Sequence, residues 1–158
     1  MVSPGNPLKP SDGMAPLDER LASARAISDG RRILATAVEA TLGTRYTVDT
    51  LRELRRRFPR ARFVWLMGAD NLAGLPRWRG WRDIARAMPI AVYPRPGYNL
   101  PALAGAAAAA LRRARRPARG AAALAGARPP AWTFLGAAQH PGSATALRAA
   151  RLEGQQGD

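Results

Sequence analysis

Between Pro59 and Gly68 the chain carries an uninterrupted apolar run, Phe63-Val64-Trp65-Leu66-Met67, and this run limits the possible folds more than any other stretch. It is too short for a helix and shows no polar alternation, which is the pattern of a parallel strand buried on both faces. The flanks agree with that reading. Upstream, Val48, Leu51, Leu54 and Phe58 recur at helical spacing, with Arg52, Glu53, Arg55, Arg56 and Arg57 on the opposite face. Thr47 is the expected N-cap of that helix and Pro59 its stop. Downstream, Gly68 and Asp70 follow the strand directly. That is the carboxyl end of a strand, where open parallel sheets bind ligands and where a carboxylate can reach the hydroxyls of a ribose.

The remaining elements fit around this unit. Met1 to Pro10 reads as a loop, being rich in proline and glycine. Pro16 opens a helix carrying Leu17, Leu21, Ala24 and Ile27 on one stripe, with Asp18 and Glu19 in its first turn, and Gly30 closes it. Ile33 to Val38 (ILATAV) is ambiguous by pattern and is expected to be a strand. A helical turn from Asp70 to Gly74 is expected, and then a break at Pro76. A further helix has Trp78, Trp81, Ile84, Ala85 and Met88 on its inner face and ends at Pro89. Ile90 to Tyr93 is the next strand, closed by the turn Pro94-Arg95-Pro96-Gly97. Leu103 to Arg116 is expected to be helical from its alanine content. Pro117 to Pro130 reads as a loose connection within a low-complexity Ala/Arg-rich segment at about 101–130. Ala131 to Leu135 is a last strand, and Ser143 caps a last helix running to Ala150. Helices alternating with strands predict an α/β fold, a doubly wound parallel sheet.

A chain of 158 residues suits a single domain. No segment has the length and apolarity of a membrane span or the pattern of a signal peptide, so a cytoplasmic protein with no membrane partner is expected. There are no cysteines and one histidine, His140. Disulfides and thiolate chemistry are thereby excluded, and no metal site is expected in the protein itself. The formal charge of +14 raises nucleic acid as a partner. Yet Lys9 is the single lysine among 25 basic residues. Arginine and alanine over-used together also follow from a GC-rich coding sequence, so a basic surface around a phosphate-handling site is the favoured reading.

No nucleophile and base are paired in the sequence, and Asp70 has no evident second carboxylate, so no catalytic residue is identified. The chain offers instead groups for phosphates and rings: hydroxyls at Ser143 and Thr145 opening a helix, Arg148 one turn on, and tryptophans beyond a strand end. Each has an ordinary structural explanation when taken alone.

Together these stretches resemble a family. RYTVDTLRELRRRFPRARFVWLMGADNL, then LPRWRGW, then PRPGY, is similar to the middle of bacterial nicotinate-nucleotide adenylyltransferase. SATALR resembles that family's Ser-x-Thr-x-x-Arg phosphate motif, and VSPGNPLKP the loop after its second strand. The resemblance implies a Rossmann-like nucleotidyltransferase fold and transfer of the adenylyl group of ATP, with Mg2+ on the ATP, to nicotinate mononucleotide in NAD biosynthesis. It implies that Tyr46, Thr47, Trp78 and Arg79 serve the nicotinate side, with Trp78 stacked on the pyridine ring. Gly68 and Asp70 would serve a nucleotide ribose, and Asn6, Lys9, Ser143, Thr145 and Arg148 the phosphates. Competing readings are a related adenylyltransferase for another phosphorylated acceptor, such as phosphopantetheine, and a non-catalytic basic nucleic-acid-binding module.

One departure carries a consequence. The family's opening motif, Gly-x-Phe-[Asn/Asp]-Pro-x-His-x-Gly-His, does not occur in this sequence, and Met1 aligns near the end of the family's second strand. The expected domain, 1–158, is thus one lacking its first strand-helix unit, roughly 30 residues. Since loss of a single preorganised donor costs other enzymes about 2.7 to 4 kcal/mol of transition-state stabilisation, this chain is expected to show little turnover alone. Pyrophosphate release with nicotinate mononucleotide and MgATP, compared between this chain and an upstream-extended version, tests that. Equal rates would dispose of the expectation.

Overall fold

The computed structural model describes residues 1–5 and 14–138. Asn6, Lys9, His140, Ser143, Thr145 and Arg148, and with them the expected last helix, lie outside the described residues. Within the described part, helix α1 spans Leu17–Ile27, α2 Val38–Leu42 and α3 Thr47–Arg57. Strand β1, Trp65–Gly68, leads into α4, Ala69–Gly74, a 3-10 turn Leu75–Arg77, and α5, Trp81–Ala87. Strand β2, Ile90–Tyr93, precedes α6, Asn99–Ala104, and α7, Ala106–Ala110. Strand β3, Arg115–Arg116, a 3-10 segment Ala118–Gly126 and strand β4, Trp132–Phe134, complete the described residues.

All pairings are parallel, and the order across the sheet is β1-β2-β4-β3. Parallel neighbours cannot be joined by a hairpin, so each connection crosses a face of the sheet. The main core lies on one face, where Met67, Ile90, Val92 and Trp132 meet Leu51, Leu72, Leu75 and Ile84. On the other face Ala91, Leu124 and Ala131 form a smaller cluster under the 118–126 segment. Strand β2 is therefore covered on both faces, as a doubly wound sheet requires.

Several expectations need correction. The 63–67 run forms a strand only from Trp65, and among the described residues it is the edge of the sheet rather than an interior strand. It is not buried on both faces: Leu66 is 61% exposed, although its register partner Ala91 lies in the smaller cluster. The expected strand at 33–38 does not form. The Asp29 carboxylate instead accepts hydrogen bonds from the backbone N–H groups of Arg31, Arg32 and Ile33, drawing that stretch into a turn and leaving Ile33 and Leu34 exposed. These bonds, chiefly that from Ile33, hold the Asp29 carboxyl below its ordinary value of 3.8. Helix α3 has Tyr46 as N-cap, with no side-chain capping bond, and Thr47 as its first residue.

The largest difference lies in the alanine-rich stretch. The expected single helix 103–116 is two short helices broken at Gly105, then a strand that alanine content concealed. A Cβ on Gly105 would stand 2.8 Å from the Pro101 carbonyl oxygen, so close packing there requires glycine. The 117–130 connection is likewise ordered, and its Leu124 is buried. Gly105→Ala sets helix propensity against this collision. The collision is expected to win, lowering stability by about 1 to 3 kcal/mol, as read from the urea midpoint. A raised midpoint would show that propensity governs the break.

Candidate functional site

The register of β1 on β2 pairs Gly68 with Tyr93, so the two strands end level with each other. Two residues beyond each end stands a charge, Asp70 in the first turn of α4 and Arg95 in the turn after β2. They form an ion pair, with Arg95 Nη1 donating to Asp70 Oδ2 at 2.8 Å. Both side chains are partly buried, at 39% and 23% exposure. Arg95 is itself fixed at the backbone: its N–H donates to Asn99 Oδ1 at 2.7 Å, and its carbonyl accepts from the Tyr98 N–H at 3.1 Å. Gly97, at φ 77°, supplies the left-handed step this turn needs.

Gly68 has a specific steric reason. A Cβ at that position would run into Asp70 Oδ1, so the absent side chain makes room for the carboxylate to fold back over the strand end. The backbone there is ordinary extended chain, φ −76° and ψ 159°, and would accept any residue. Oδ1 is buried and has no hydrogen-bond partner among the described residues. A carboxylate oxygen carries two lone pairs, so Oδ2 keeps one for a ligand's O–H donor after binding Arg95.

A second cluster forms where α3 begins. The Arg79 guanidinium lies 4.6 Å from the ring centroid of Tyr46. Tyr46, Trp78 and Trp81 are partly buried and pack against the main core. The 78–81 loop is set against α3 by Gly80, at φ 61°, where a Cβ would approach Val48 Cγ2 to 3.3 Å. Arg52 donates to Asp83 at 3.0 Å and ties α3 to α5. The Thr44 hydroxyl, just before α3, lies 2.7 Å from that of Thr50 within it, and Thr50 Oγ1 also donates to the Tyr46 carbonyl at 3.3 Å. The N–H groups of Thr47 and Val48 have no carbonyl one helical turn back, so this helix start offers donors.

Of the sequence-derived residues, Tyr46 is thus joined to Arg79, Gly68 to Asp70, and Trp78 shares the core packing of Tyr46. The phosphate candidates fall outside the described residues. Arg95 and Asn99 were missed. The signal was present in the chain, since opposite charges stand at the same offset beyond the ends of two strands predicted to be parallel. On α3, Glu53 accepts from Arg56 at 2.9 Å and from Arg57 at 3.4 Å, and its carboxyl is held below the ordinary range, chiefly by Arg56. Among the described residues no three His, Asp or Glu side chains gather as a metal cage. No helix among them is long and apolar enough to cross a membrane.

The parallel sheet with helices on its faces is the nucleotidyltransferase-like α/β architecture, and residues 1–150 match the family model described as cytidylyltransferase-like. The probable nicotinate-nucleotide adenylyltransferase of Gluconobacter oxydans is 62% identical over 148 residues, covering 94% of this chain and 76% of that protein. That of Gluconacetobacter diazotrophicus is 63% identical over 152 residues, covering 96% and 71%. That of Parvibaculum lavamentivorans is 54% identical over 148 residues, covering 94% and 74%. The chain belongs to the nicotinate-nucleotide adenylyltransferase family of cytidylyltransferase-like proteins.

Gly68→Ala tests the steric argument without reference to any ligand. The added methyl is expected to displace the Asp70 carboxylate and loosen its pair with Arg95, at a stability cost of about 1 kcal/mol or less for a partly exposed pair. The Arg95 side-chain N–H resonance should then lose its distinct shift while the denaturation midpoint barely moves. An unchanged Arg95 signal would show that the carboxylate does not need the space.

Proposed function

We propose that this chain serves the transfer of the adenylyl group of ATP to nicotinate mononucleotide, giving deamido-NAD and pyrophosphate in NAD biosynthesis. The observation that carries the reading is the acceptor carboxylate of Asp70, held by Arg95 at the ends of two adjacent parallel strands, in a chain of this family. In the reaction an oxygen of the mononucleotide phosphate attacks the α-phosphorus of ATP. A new P–O bond forms, the bond to the bridging oxygen breaks, and pyrophosphate leaves with that electron pair. No covalent enzyme intermediate is needed, so positioning and charge stabilisation supply the rate.

In this reading Asp70 accepts hydrogen bonds from the adenosine ribose, and Gly68 keeps the space it folds into. Trp78 stacks on the pyridine ring. The backbone amide of Thr47 meets the nicotinate carboxylate at the start of α3, where the helix dipole favours negative charge. Tyr46 and Arg79, already in contact, line the same pocket. Asn6, Lys9, Ser143, Thr145 and Arg148 are assigned to phosphates from the sequence motifs alone. The magnesium ion enters on the triphosphate as part of the substrate. A cytoplasmic location belongs to the same reading.

The division of roles is testable in an upstream-extended version. Stacking is worth about 1 kcal/mol beyond plain burial, so Trp78→Ala should weaken nicotinate mononucleotide binding several-fold and leave ATP binding nearly unchanged. Asp70→Ala should do the reverse. Titration calorimetry with each nucleotide separates the two, and equal losses for both substrates in both variants would overturn the division.

A further inference from the structure

We propose that Arg95 is a positioning residue for ribose recognition, holding the Asp70 carboxylate in one orientation at the strand ends for the nucleotide to meet. The inference rests on the ribose role given to Asp70 above and adds what makes that role specific. Three observations carry it. The Arg95 guanidinium binds Oδ2 and leaves Oδ1 alone. Oδ1 is buried in the space that a side chain at position 68 would fill, which seats the carboxylate against the strand end. Arg95 has its backbone clamped by Asn99 and by the Tyr98 turn, so it brings a pre-set donor rather than a wandering side chain.

The physical consequence concerns selectivity. An aspartate free to rotate can offer either oxygen to solvent and binds a hydroxyl little better than water does. Fixed by a charged partner, the carboxylate meets a hydroxyl in one geometry, and a ligand lacking that hydroxyl forgoes the bond. The neighbouring arginine also offsets the negative charge, so the carboxylate adds little repulsion toward the ATP phosphates. Arg95 thus acts through Asp70, and its loss should appear as loss of discrimination between ribose and deoxyribose rather than as general weakening.

The experiment measures binding of ATP, 2′-deoxy-ATP and 3′-deoxy-ATP to the wild-type chain, to Arg95→Gln, to Asp70→Asn and to the double variant. The wild type is expected to prefer ATP to at least one deoxy analogue by about tenfold. Arg95→Gln should lose most of that preference, with the deoxy analogue bound as before. The double variant should match Asp70→Asn alone, because the arginine has nothing left to position. Arg95→Lys keeps the charge without the planar fork and should fall between. It carries the comparison if circular dichroism shows Arg95→Gln unfolded. Equal weakening of all three nucleotides in the Arg95 variants, or additive losses in the double variant, would overturn the positioning role. A wild type that binds ATP with no preference for the hydroxyl would instead overturn the ribose role of Asp70, and the inference with it.

Discussion

The parallel pairing of Trp65–Gly68 with Ile90–Tyr93 is the constraint on which the rest of the site depends. Because parallel strands run the same way, their ends lie side by side, and the chain must travel from one end of the sheet to the other between them. Residues 69–89 make that journey as α4, a 3-10 turn and α5, and they deposit Leu72, Leu75 and Ile84 on the sheet as they cross. The same crossover gathers the exits of β1 and β2 at one edge. Asp70 and Arg95, 25 residues apart in sequence, meet there because the register leaves them level.

Charge is distributed in keeping with this arrangement. A chain of net charge +14 has few carboxylates to place, and those on α3 and α5 are spent on neighbouring arginines: Asp49 on Arg52, Asp83 on Arg52 and Arg86, Glu53 on Arg56 and Arg57. These pairs are exposed, so each contributes little to stability. Their effect is to break up what would otherwise be a continuous arginine ridge, which weakens the case for a polynucleotide lying along α3. The Asp70–Arg95 pair differs from them in burial, and it joins the start of α4 to the turn after β2.

What the sequence made legible follows from how local each signal was. The α3 helix, the strand ends at Gly68 and Tyr93, and α5 were marked by periodicity and by Pro59 and Pro89, which act within a few residues, although Trp78, expected on the inner face of that last helix, stands before it at the end of the 3-10 turn. The 33–38 stretch misled because an apolar run alone cannot reveal that Asp29 captures three backbone donors and bends the chain away from a sheet. Alanine content misled at 103–116, since propensity is a weak prior and packing of Gly105 on Pro101 outweighed it. Strand β3 was invisible because its residues, Arg115 and Arg116, carry no apolar pattern. It pairs with β4, and the Thr133 hydroxyl donates to the Arg116 carbonyl.

The two clusters of the site are not independent, and α4 is the reason. Asp70 stands in its first turn, and the helix runs through buried Leu72 and Gly74 into Leu75–Arg77, after which Trp78 follows at once. Leu75 is fully buried, and its carbonyl accepts the Trp78 N–H at 2.9 Å, so no slack separates the carboxylate from the ring. The far side of the loop is pinned to α3 by Gly80 on Val48 and by Arg52 on Asp83. A displacement of Asp70 therefore passes along a packed helix rather than a free loop, and it reaches the tryptophan before the chain has a flexible joint to absorb it. For a reaction that depends on holding two nucleotides in register rather than on a reactive side chain, that stiffness is the property the fold has to supply.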